Sequence, residues 1–339
     1  MGNVILGVET SCDETAASVV VDGSEMLSNV VSSQIDIHRK FGGVVPEVAS
    51  RKHIETINGI IDEAIGQAGL GFSEIDGVAV TYGPGLVGAL LVGLSSAKAL
   101  AYAIDRPLIG VNHIEGHIYA NFLINPDLKF PLICLVVSGG HTDLVFMPGH
   151  GRYEYLGGTR DDAAGEAFDK VARFLKLGYP GGPAIERLSF DGDPNAVGLP
   201  RAYLEKGSFD FSFSGLKTAV LNYHSKHSKN DGLSLNDLAA SFQQAVVDVL
   251  VDKTVDAAKK YRVETVLLAG GVAANLRLRE ELSERITGGG FDFSVPPLSL
   301  CTDNAAMIAC AGGYRYDRRD FAPLTLNAYP RLDLGVDRY

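Results

Sequence analysis

The sequence of 339 residues contains no tryptophan, few cysteines and no apolar run long enough to cross a membrane as a helix. Its N-terminal residues also lack the basic start, apolar run and cleavage site that are typical of a signal peptide. No two cysteines have the paired CxxC spacing. We therefore expect a cytoplasmic protein with reduced thiols, at Cys12, Cys134, Cys301 and Cys310.

Positive charge is also scarce, because 30 Lys and Arg residues stand against 41 Asp and Glu residues, for a formal net charge of −11. Affinity for phosphate backbones comes from Lys and Arg, so this balance argues against a free-standing nucleic-acid-binding protein. If the protein contacts RNA, it needs a local basic patch or a partner that supplies one.

Glycine, in contrast, is abundant at 39 residues, and 46% of the chain is hydrophobic, which is typical of a globular protein long enough for two lobes. The predicted elements run twice through one order, three strands, helix, strand, helix, strand, so we predict a duplicated α/β unit. Residues 178–231 depart from this order and are interpreted as an insertion that ends in a mobile surface loop. One predicted helix, from Pro46 to about Gly69, has its apolar face at Val48, Ile54, Ile57, Ile61 and Ile65.

The segment Val111–Asn121 places His113 and His117 four residues apart. If the segment is helical, both imidazoles lie on one face and can hold one divalent metal. Glu115 then lies on the opposite face, which excludes the HExxH arrangement of a zinc protease. The alternative is two helix histidines at a partly buried junction.

A third ligand for such a metal is available at Asp303, in the segment Cys301–Asn304 that opens a predicted helix. Two histidines and one carboxylate would leave coordination positions open for a substrate oxygen. The alternative is that Thr302 or Asp303 only caps the helix.

Two turns between predicted strands have contrasting composition. Val137–Thr142 contains consecutive glycines, whose backbone N–H groups can approach an anion, with hydroxyl donors at Ser138 and Thr142. The matching turn of the first half, Glu9–Thr15, is acidic and suits a metal, a substrate ammonium or hydroxyl, or simple capping. An ordinary hairpin is the alternative for the glycine turn.

A second glycine-rich turn, Ala269–Asn275, joins a buried strand to a helix whose N-terminus can accept a phosphate, while Asn275 can hydrogen-bond a purine or ribose edge. The turn is not GxGxxG, so a Rossmann dinucleotide site is not supported. A tight turn without a ligand is the alternative.

Three aspartates accompany the predicted helix from about residue 161 to residue 177. Capping accounts for Asp161 and Asp162 at its start, but Asp169 lies two turns further on and is a candidate ligand contact. The segment Gly181–Pro183 can bring backbone against a ribose or an adenine.

Nine segments, in this order from about Val4 to Arg315, resemble the bacterial form of the tRNA adenosine threonylcarbamoyltransferase family (TsaD type), once labelled a glycoprotease or O-sialoglycoprotein endopeptidase. They are GVETSCDETAASVV, GGVVPEVASRKHIE, TYGPGLVGALLVG, NHIEGHIYAN, VSGGHTDLV, DDAAGEAFDKVARFLKLGYPGGP, FSFSGLKTAV, LAGGVAANLRLR and CTDNAAMIA.

The resemblance implies an α/β fold with two ribonuclease-H-like lobes of the actin, sugar kinase and Hsp70 ATPase (ASKHA) type and a cleft between them. We expect an N-terminal lobe over residues 1–122 and a C-terminal lobe over residues 123–325, the latter with the insertion near 178–231. Residues 326–339 would form a C-terminal tail.

The implied activity is transfer of the threonylcarbamoyl group from L-threonylcarbamoyl-adenylate to N6 of adenosine 37 in tRNAs that read ANN codons, with AMP as the second product. An ATPase or small-molecule kinase of the actin-like fold is the alternative. The metal ligands that match the family are His113, His117 and Asp303, with iron expected and zinc as the alternative. Val136, where another branch has a tyrosine ligand, fits the bacterial branch.

The matching substrate contacts are Val136, Val137, Ser138, Gly139, Gly140, Asp169, Gly182 and Asn275. The donor is already activated, so the enzyme must position it and remove a proton from N6. The base is unassigned, with candidates Asp13, Glu14 and His141.

The resemblance also implies partners: tRNA, a smaller inactive paralogue (TsaB type) and a P-loop ATPase (TsaE type). The small-residue face of Gly85–Ala103 is a candidate docking helix. Candidate tRNA contacts, for which solvated helix faces are the alternative, are Arg277, Arg279, Arg315, Arg318 and Arg319.

Overall fold

In the computed structural model, which describes residues 2–205, 207–227 and 234–338, the described chain contains two five-stranded sheets. The chain divides into two compact units, one formed by Met1–Leu128 with Pro296–Tyr339 and the other by Lys129–Val295. Within the described ranges, no helix is both long enough and apolar enough to cross a membrane.

The sheet of the first unit has the order β3-β2-β1-β4-β5, in which the first three strands are antiparallel and the last two run parallel to β1. A hairpin turn at Asp22 and Gly23, both with positive φ, joins the second and third strands of the chain. The strands are β1 (Val4–Glu9), β2 (Glu14–Val21), β3 (Glu25–Ser33), β4 (Gly77–Gly83) and β5 (Leu108–Asn112).

Four helices of this unit precede its C-terminal part: α1 (Ile35–Arg39), α2 (Pro46–Gln67), α3 (Val87–Ala103) and α4 (His113–Ile124). On α2 the predicted apolar face is partly wrong, because Ile54 is 65% exposed. The neighbouring His53 takes the inward position, where both ring nitrogens find hydrogen-bond partners. Ile57, Ile61 and Ile65 are buried as predicted.

The second unit repeats the topology, since its sheet has the order β10-β9-β6-β7-β8 with the same antiparallel and parallel pairs. The duplication expected from the order of elements is therefore present. The elements are β6 (Leu132–Val137), β7 (Thr142–Gly149), β8 (Arg152–Gly158), α5 (Ala164–Phe174), α6 (Gly181–Ser189), α7 (Ser214–His227), α8 (Leu235–Tyr261), β9 (Thr265–Ala269), α9 (Leu276–Gly288) and β10 (Asp292–Ser294).

The predicted insertion contains two of these helices, α6 and α7, so residues 178–227 are not simply loop. Residues 228–231, where the surface loop was expected, lie outside the described residues. The predicted turn Ala269–Asn275 contains a short 3₁₀ helix, Gly271–Ala274, and the helix that follows it is α9.

The chain returns to the first unit after β10, through α10 (Leu298–Cys301) and α11 (Ala305–Asp317). Residues 296–325 therefore lie in the first unit, whereas the sequence interpretation placed them in the second lobe. Small residues explain this packing: a Cβ on Gly7 of β1 would lie 2.4 Å from the Ala305 carbonyl oxygen, and one on Gly312 would lie 2.5 Å from Ala79 Cβ.

Candidate functional site

Helix α4 presents both of its histidines on one face, as their spacing predicts. Its N-cap, Asn112, accepts hydrogen bonds from the backbone N–H groups of Ile114 (2.8 Å) and Glu115 (3.4 Å), which fixes the first turn. The rings of His113 and His117 are 4.7 Å apart between centroids. Both histidines are buried.

Asp303 completes a cluster with these histidines from the bend between α10 and α11. Its Oδ1 lies 3.5 Å from His113 Nε2 and 3.2 Å from His117 Nε2. One potential ligand atom from each residue lies within 4.8 Å of the other two. The structure thus brings the two histidines together with a carboxylate that lies almost two hundred residues further along the sequence.

The donor set of this cluster fits a divalent cation. Neither ring nitrogen of His117 makes a hydrogen bond within the described part of the chain, although both are buried. An unsatisfied buried polar atom is costly, and a cation at Nε2 would satisfy one of the two. Two imidazoles and a carboxylate are also a common open-sided metal site.

Glu9, at the end of β1, orients His113. Its fully buried carboxylate lies 3.0 Å from His113 Nδ1 and accepts hydrogen bonds from Thr81 Oγ1 (2.7 Å) and the Ser11 backbone. Burial lowers the pKa of His113, but the Asp303 and Glu9 carboxylates outweigh it and raise the pKa to about 9. Because Glu9 lies beside Nδ1 and favours a proton there, Nε2 is the ring nitrogen that a metal would bind, with displacement of the Nε2 proton.

The sequence interpretation placed Glu9 only in an acidic turn and missed this role. The available signal was its position at the carboxyl end of a buried strand, where an acid needs a partner.

The acidic turn after β1 is held by a chain of hydrogen bonds from α2. Thr56 Oγ1 donates to Thr15 Oγ1 (3.0 Å), Thr15 Oγ1 lies 2.8 Å from His53 Nδ1, and His53 Nε2 lies 3.0 Å from the Cys12 carbonyl oxygen. Burial lowers the pKa of His53, which favours the neutral ring that this chain requires. His53 therefore holds the backbone just before the base candidates.

Of the base candidates in this turn, Glu14 accepts a hydrogen bond from Ser33 Oγ (3.0 Å). Burial, together with the carboxylates of Asp303 and Asp13, raises the pKa of Glu14 to about 9. Asp13 is buried, and its backbone carbonyl accepts from the Gln34 N–H (3.1 Å). Both carboxyls belong to the first unit, together with the histidine cluster.

Glu115 points away from the cluster, as its position on the helix predicts. It pairs with Arg315 of α11, with 3.0 Å between Arg315 Nε and Glu115 Oε2. The prediction that Arg315 contacts tRNA is therefore wrong, because its side chain is only 5% exposed and is enclosed by carboxylates.

Among the other candidate tRNA contacts, Arg277 pairs with Glu281 at 2.6 Å, and Arg318 and Arg319 are exposed.

In the second unit, hydrogen bonds close the turn between β6 and β7, while its glycine backbone stays accessible. Ser138 N–H donates to the His141 carbonyl (2.8 Å), and Ser138 Oγ accepts from the His141 N–H (3.1 Å). Gly139 and Gly140 are exposed, with no atom within 4 Å of the place a Cβ would occupy. Their backbone can therefore be approached by a ligand.

The two residues before this turn cannot use their side chains for binding, because Val136 and Val137 are fully buried in the sheet. Any contact they make is through backbone atoms. Two further glycines allow the turn to pack: Gly165 of α5, and Gly270 of the predicted glycine-rich turn Ala269–Asn275. A Cβ on Gly165 would lie 2.5 Å from the Ser138 carbonyl oxygen, and one on Gly270 would lie 2.4 Å from that of Val137.

Capping in this unit differs from the prediction for Asp161. Its Oδ1 accepts from the N–H groups of Phe213 (2.9 Å) and Ser214 (3.2 Å), so it caps α7 rather than α5. Asp162 instead pairs with Lys170 and Lys217, each at 2.6 Å. These contacts tie the insertion to the segment before α5.

Asp169 contacts the start of α6 at Gly181, the residue before Gly182. Asp169 Oδ1 accepts a hydrogen bond from the Gly181 N–H (2.7 Å), and Gly181 has no room for a side chain because a Cβ would lie 2.5 Å from Asp169 Cα. Gly182, the next residue, has open space beside it. The start of this helix is therefore an accessible backbone surface.

Asn275 is the N-cap of α9, where its Oδ1 accepts from the Leu278 N–H (3.0 Å) and its Nδ2 donates to Gln243 Oε1 (2.8 Å). The amide is thus already engaged, which limits the predicted contact with a purine or ribose edge to its remaining hydrogen-bonding capacity. Beside it lies a cavity of about 260 Å³, lined by Glu186, Phe190, Gln243, Leu276, Arg277 and other residues.

The sequence matches the family model described as TsaD, tRNA N6-adenosine threonylcarbamoyltransferase, over residues 25–310. Curated proteins of that name are similar over nearly the whole chain. The Desulfitobacterium hafniense protein is 60% identical over 98% of this chain and 97% of its own. The Symbiobacterium thermophilum protein is 61% identical over 98% of this chain and 97% of its own.

Solved structures with the same fold are more distant in sequence. HypF of T. kodakarensis matches with a TM-score of 0.64 and 17% identity, over 94% of this chain and 48% of its own. Component A of the Acidaminococcus fermentans (R)-2-hydroxyglutaryl-CoA dehydratase matches with a TM-score of 0.56 and 16% identity, over 94% of this chain and 99% of its own. These matches confirm the actin-like fold class.

Proposed function

Because this chain belongs to the tRNA N6-adenosine threonylcarbamoyltransferase family, we propose that it transfers the threonylcarbamoyl group of L-threonylcarbamoyl-adenylate to N6 of adenosine 37 in tRNAs that read ANN codons. In this reaction N6 attacks the carbamoyl carbon, the bond from that carbon to the phosphate oxygen breaks, and AMP leaves. The N6 proton passes to a base. The family assignment does not favour the alternative, an ATPase or small-molecule kinase.

The observation that carries the proposal is the cluster of His113, His117 and Asp303, with His117 buried and without a hydrogen bond to either ring nitrogen in the described chain. We propose that His113 Nε2, His117 Nε2 and an Asp303 carboxylate oxygen hold one divalent metal, iron(II) or else zinc. When bound, the metal supplies a Lewis acid for a phosphate or carbonyl oxygen of the donor.

The residues of the second unit suit the adenylate part of the donor. The exposed backbone at Gly139 and Gly140 offers N–H groups to a phosphate, with Ser138 and the backbone of Val136 and Val137 shaping the turn. We propose that the ribose and base lie along the α6 start at Gly182, beside Asp169 and Asn275. The 260 Å³ cavity next to Asn275 is large enough for part of a nucleoside.

Three groups are candidates for the base that accepts the N6 proton. One is Glu14, and burial together with its acidic neighbours raises the pKa of this carboxyl to about 9. Asp13, in the same turn, and His141, in the glycine turn, are the other candidates. A pH–rate profile of Asp13→Asn and His141→Gln would separate them, since only loss of the base removes the acidic limb.

The test of the activity is an assay with purified protein, unmodified tRNA and synthetic L-threonylcarbamoyl-adenylate, read by nucleoside mass spectrometry and AMP release. We expect threonylcarbamoyladenosine in a tRNA with A37 and none in a matched tRNA with G37. ATP-dependent phosphorylation of a small molecule, with no modified nucleoside even in a cell extract that supplies partners, would overturn the proposal.

We also propose partners in the cytoplasm beyond tRNA: a smaller inactive paralogue and a P-loop ATPase. The net charge of −11 supports a requirement for partner proteins in tRNA binding, because affinity for phosphates comes from Lys and Arg. The exposed Val87 and Leu91 on α3, within the small-residue segment Gly85–Ala103, suit a protein contact. Val87→Asp combined with Leu91→Asp should reduce co-purification of the paralogue without unfolding the protein.

A further inference from the structure

The two elements that carry the proposed metal ligands are joined by a second, buried contact. Glu115 lies between His113 and His117 in sequence but leaves α4 on the opposite side. There it contacts Arg315 of α11. The N-cap of α11 is Asn304, which directly follows Asp303. Arg315 Nη2 and Nε lie 2.9 Å and 3.0 Å from Glu115 Oε2, and the two side chains are 5% and 1% exposed.

The C-terminal tail closes this ion pair from outside. Asp337 Oδ1 lies 3.0 Å from Arg315 Nη2, and Asp320 Oδ2 lies 2.6 Å from Arg315 Nη1. The tail also reaches the start of α4, because the side-chain amide of Asn112 donates to the carbonyl oxygens of Leu332 and Asp333, each at 3.3 Å. One guanidinium thus faces three carboxylates from three segments of the first unit.

A buried ion pair is weak grounds for stability, because a well-packed apolar pair can hold two helices equally well. What the pair adds is a fixed orientation of the two helices relative to each other, because the planar guanidinium binds carboxylates only in a fixed geometry. The rotation of α4 about its own axis needs such a constraint. Every residue from His113 to Leu123 is buried, so no polar face opposes an apolar face to set its rotation.

Small rotations matter at the ligand atoms. With side chains extending about 6 Å from a helix axis, a turn of about 20° moves an imidazole nitrogen by roughly 2 Å. Metal–ligand distances tolerate only about 0.2 Å. A device that holds the rotation of α4 against α11 therefore acts directly on the geometry of the cluster.

We propose that the Glu115–Arg315 pair, closed by Asp320 and Asp337, is a positioning device that orients the two histidines toward Asp303. This inference rests on the metal site of the proposed function. Glu115 is not itself a ligand or a catalytic residue, and it acts through the helix that carries the histidines.

The test compares Glu115→Ala, Glu115→Gln and Ile65→Ala, with Co²⁺ as a spectroscopic probe in full-length protein. Ile65 is a core residue of the same unit, on α2, and controls for general destabilisation. We expect Glu115→Ala to weaken Co²⁺ affinity about 10- to 100-fold and to change the d–d absorption spectrum. Glu115→Gln keeps an oxygen that accepts from Arg315 and should restore most of the affinity, while Ile65→Ala should leave affinity and spectrum unchanged.

If Glu115→Ala does not fold, Asp337→Asn decides the question, because this side chain is 46% exposed. We expect it to weaken Co²⁺ binding by a few-fold. Wild-type affinity and spectrum in the folded variants would overturn the positioning role alone. Wild-type protein that binds no Co²⁺ would overturn the proposed metal function, and the positioning role with it.

Discussion

The turns that follow the first strand of each sheet occupy equivalent places in the two units, yet they have opposite chemistry. In the first unit, β1 ends in the buried carboxylate of Glu9 and the turn continues with Asp13 and Glu14. In the second unit, β6 ends in Val137 and the turn exposes the backbone of Gly139 and Gly140. The first copy of the topology thus offers carboxylate oxygens that can bind a cation, and the second offers backbone N–H groups that can bind an anion.

The proposed reaction calls for both kinds of group. A donor with a phosphate and a transferable group needs both an anion cradle and an electrophilic centre. The two copies of the topology can diverge at one turn without disturbing the sheet, because turn residues do not carry the ladder hydrogen bonds.

The largest expected effect comes from removing the carboxylate of the proposed metal cluster. Asp303→Ala should lose the bound metal and reduce tRNA modification about 1,000-fold, since a cation contributes several kcal/mol and each ~1.4 kcal/mol is tenfold in rate. Metal content by elemental analysis and single-turnover modification would measure this. Asp36→Ala, which removes a side chain that is 88% exposed in the same unit, should change neither quantity.

Next in size is Glu9→Gln, which keeps the shape of the side chain but removes the charge beside His113 Nδ1. We expect a 10- to 100-fold loss of metal affinity, because outer partners of ligating histidines have effects of about that size. Competition with a chelating dye would report it. The matched control is Glu25→Gln, at an exposed position of β3, and equal affinities for the two variants would contradict the orienting role.

Alanine substitutions at and beside the glycine turn can distinguish an effect on ligand access from an effect on packing. Gly140→Ala meets no protein atom within 4 Å, so stability should stay within about 0.5 kcal/mol while the donor KM rises about tenfold. Gly165→Ala, whose Cβ would lie 2.5 Å from the Ser138 carbonyl oxygen, should instead destabilise the protein by about 1–3 kcal/mol. Urea denaturation and initial rates would show whether the two effects separate.

The smallest expected effect concerns Asp143, the second residue of β7. Burial raises the pKa of this carboxyl to about 6, against a hydrogen bond from Tyr155 Oη that lowers it. The folded protein therefore holds a proton on this carboxyl that the unfolded chain releases, so the contribution of Asp143 to stability falls as pH rises from about 4 to 6 and then levels off. Asp143→Asn should remove this part of the pH dependence and gain about 1–2 kcal/mol at pH 8, measured as the difference between variant and wild type in urea denaturation at several pH values.

Periodicity predicted most of the elements that carry these residues. It gave the order of strands and helices in both halves of the chain, and the spacing of His113 and His117 placed both on one face of α4. Asp303 was already a candidate third ligand from the segment Cys301–Asn304, and the family resemblance implied the same residue. The membership it implied is confirmed by the family model and by the similarity over nearly the full chain.

What sequence reasoning could not supply was long-range pairing. Arg315 has the composition of a surface residue, and only the fold shows that it is buried against Glu115. The same holds for His53, which takes a core position that periodicity gave to Ile54. A pattern identifies which residues avoid water, but the partners that make a buried charge or imidazole tolerable are set by segments far away in the chain.

The return of the chain to the first unit has a consequence for biosynthesis. The ribosome delivers the two histidines early and Asp303 late, and α11 packs on β1 only after the whole second unit has been made. The cation cluster therefore cannot assemble on a nascent chain that stops before this point. A chain that stops before residue 303 lacks the third proposed ligand, so only chains that continue past this residue can offer all three groups to the proposed metal.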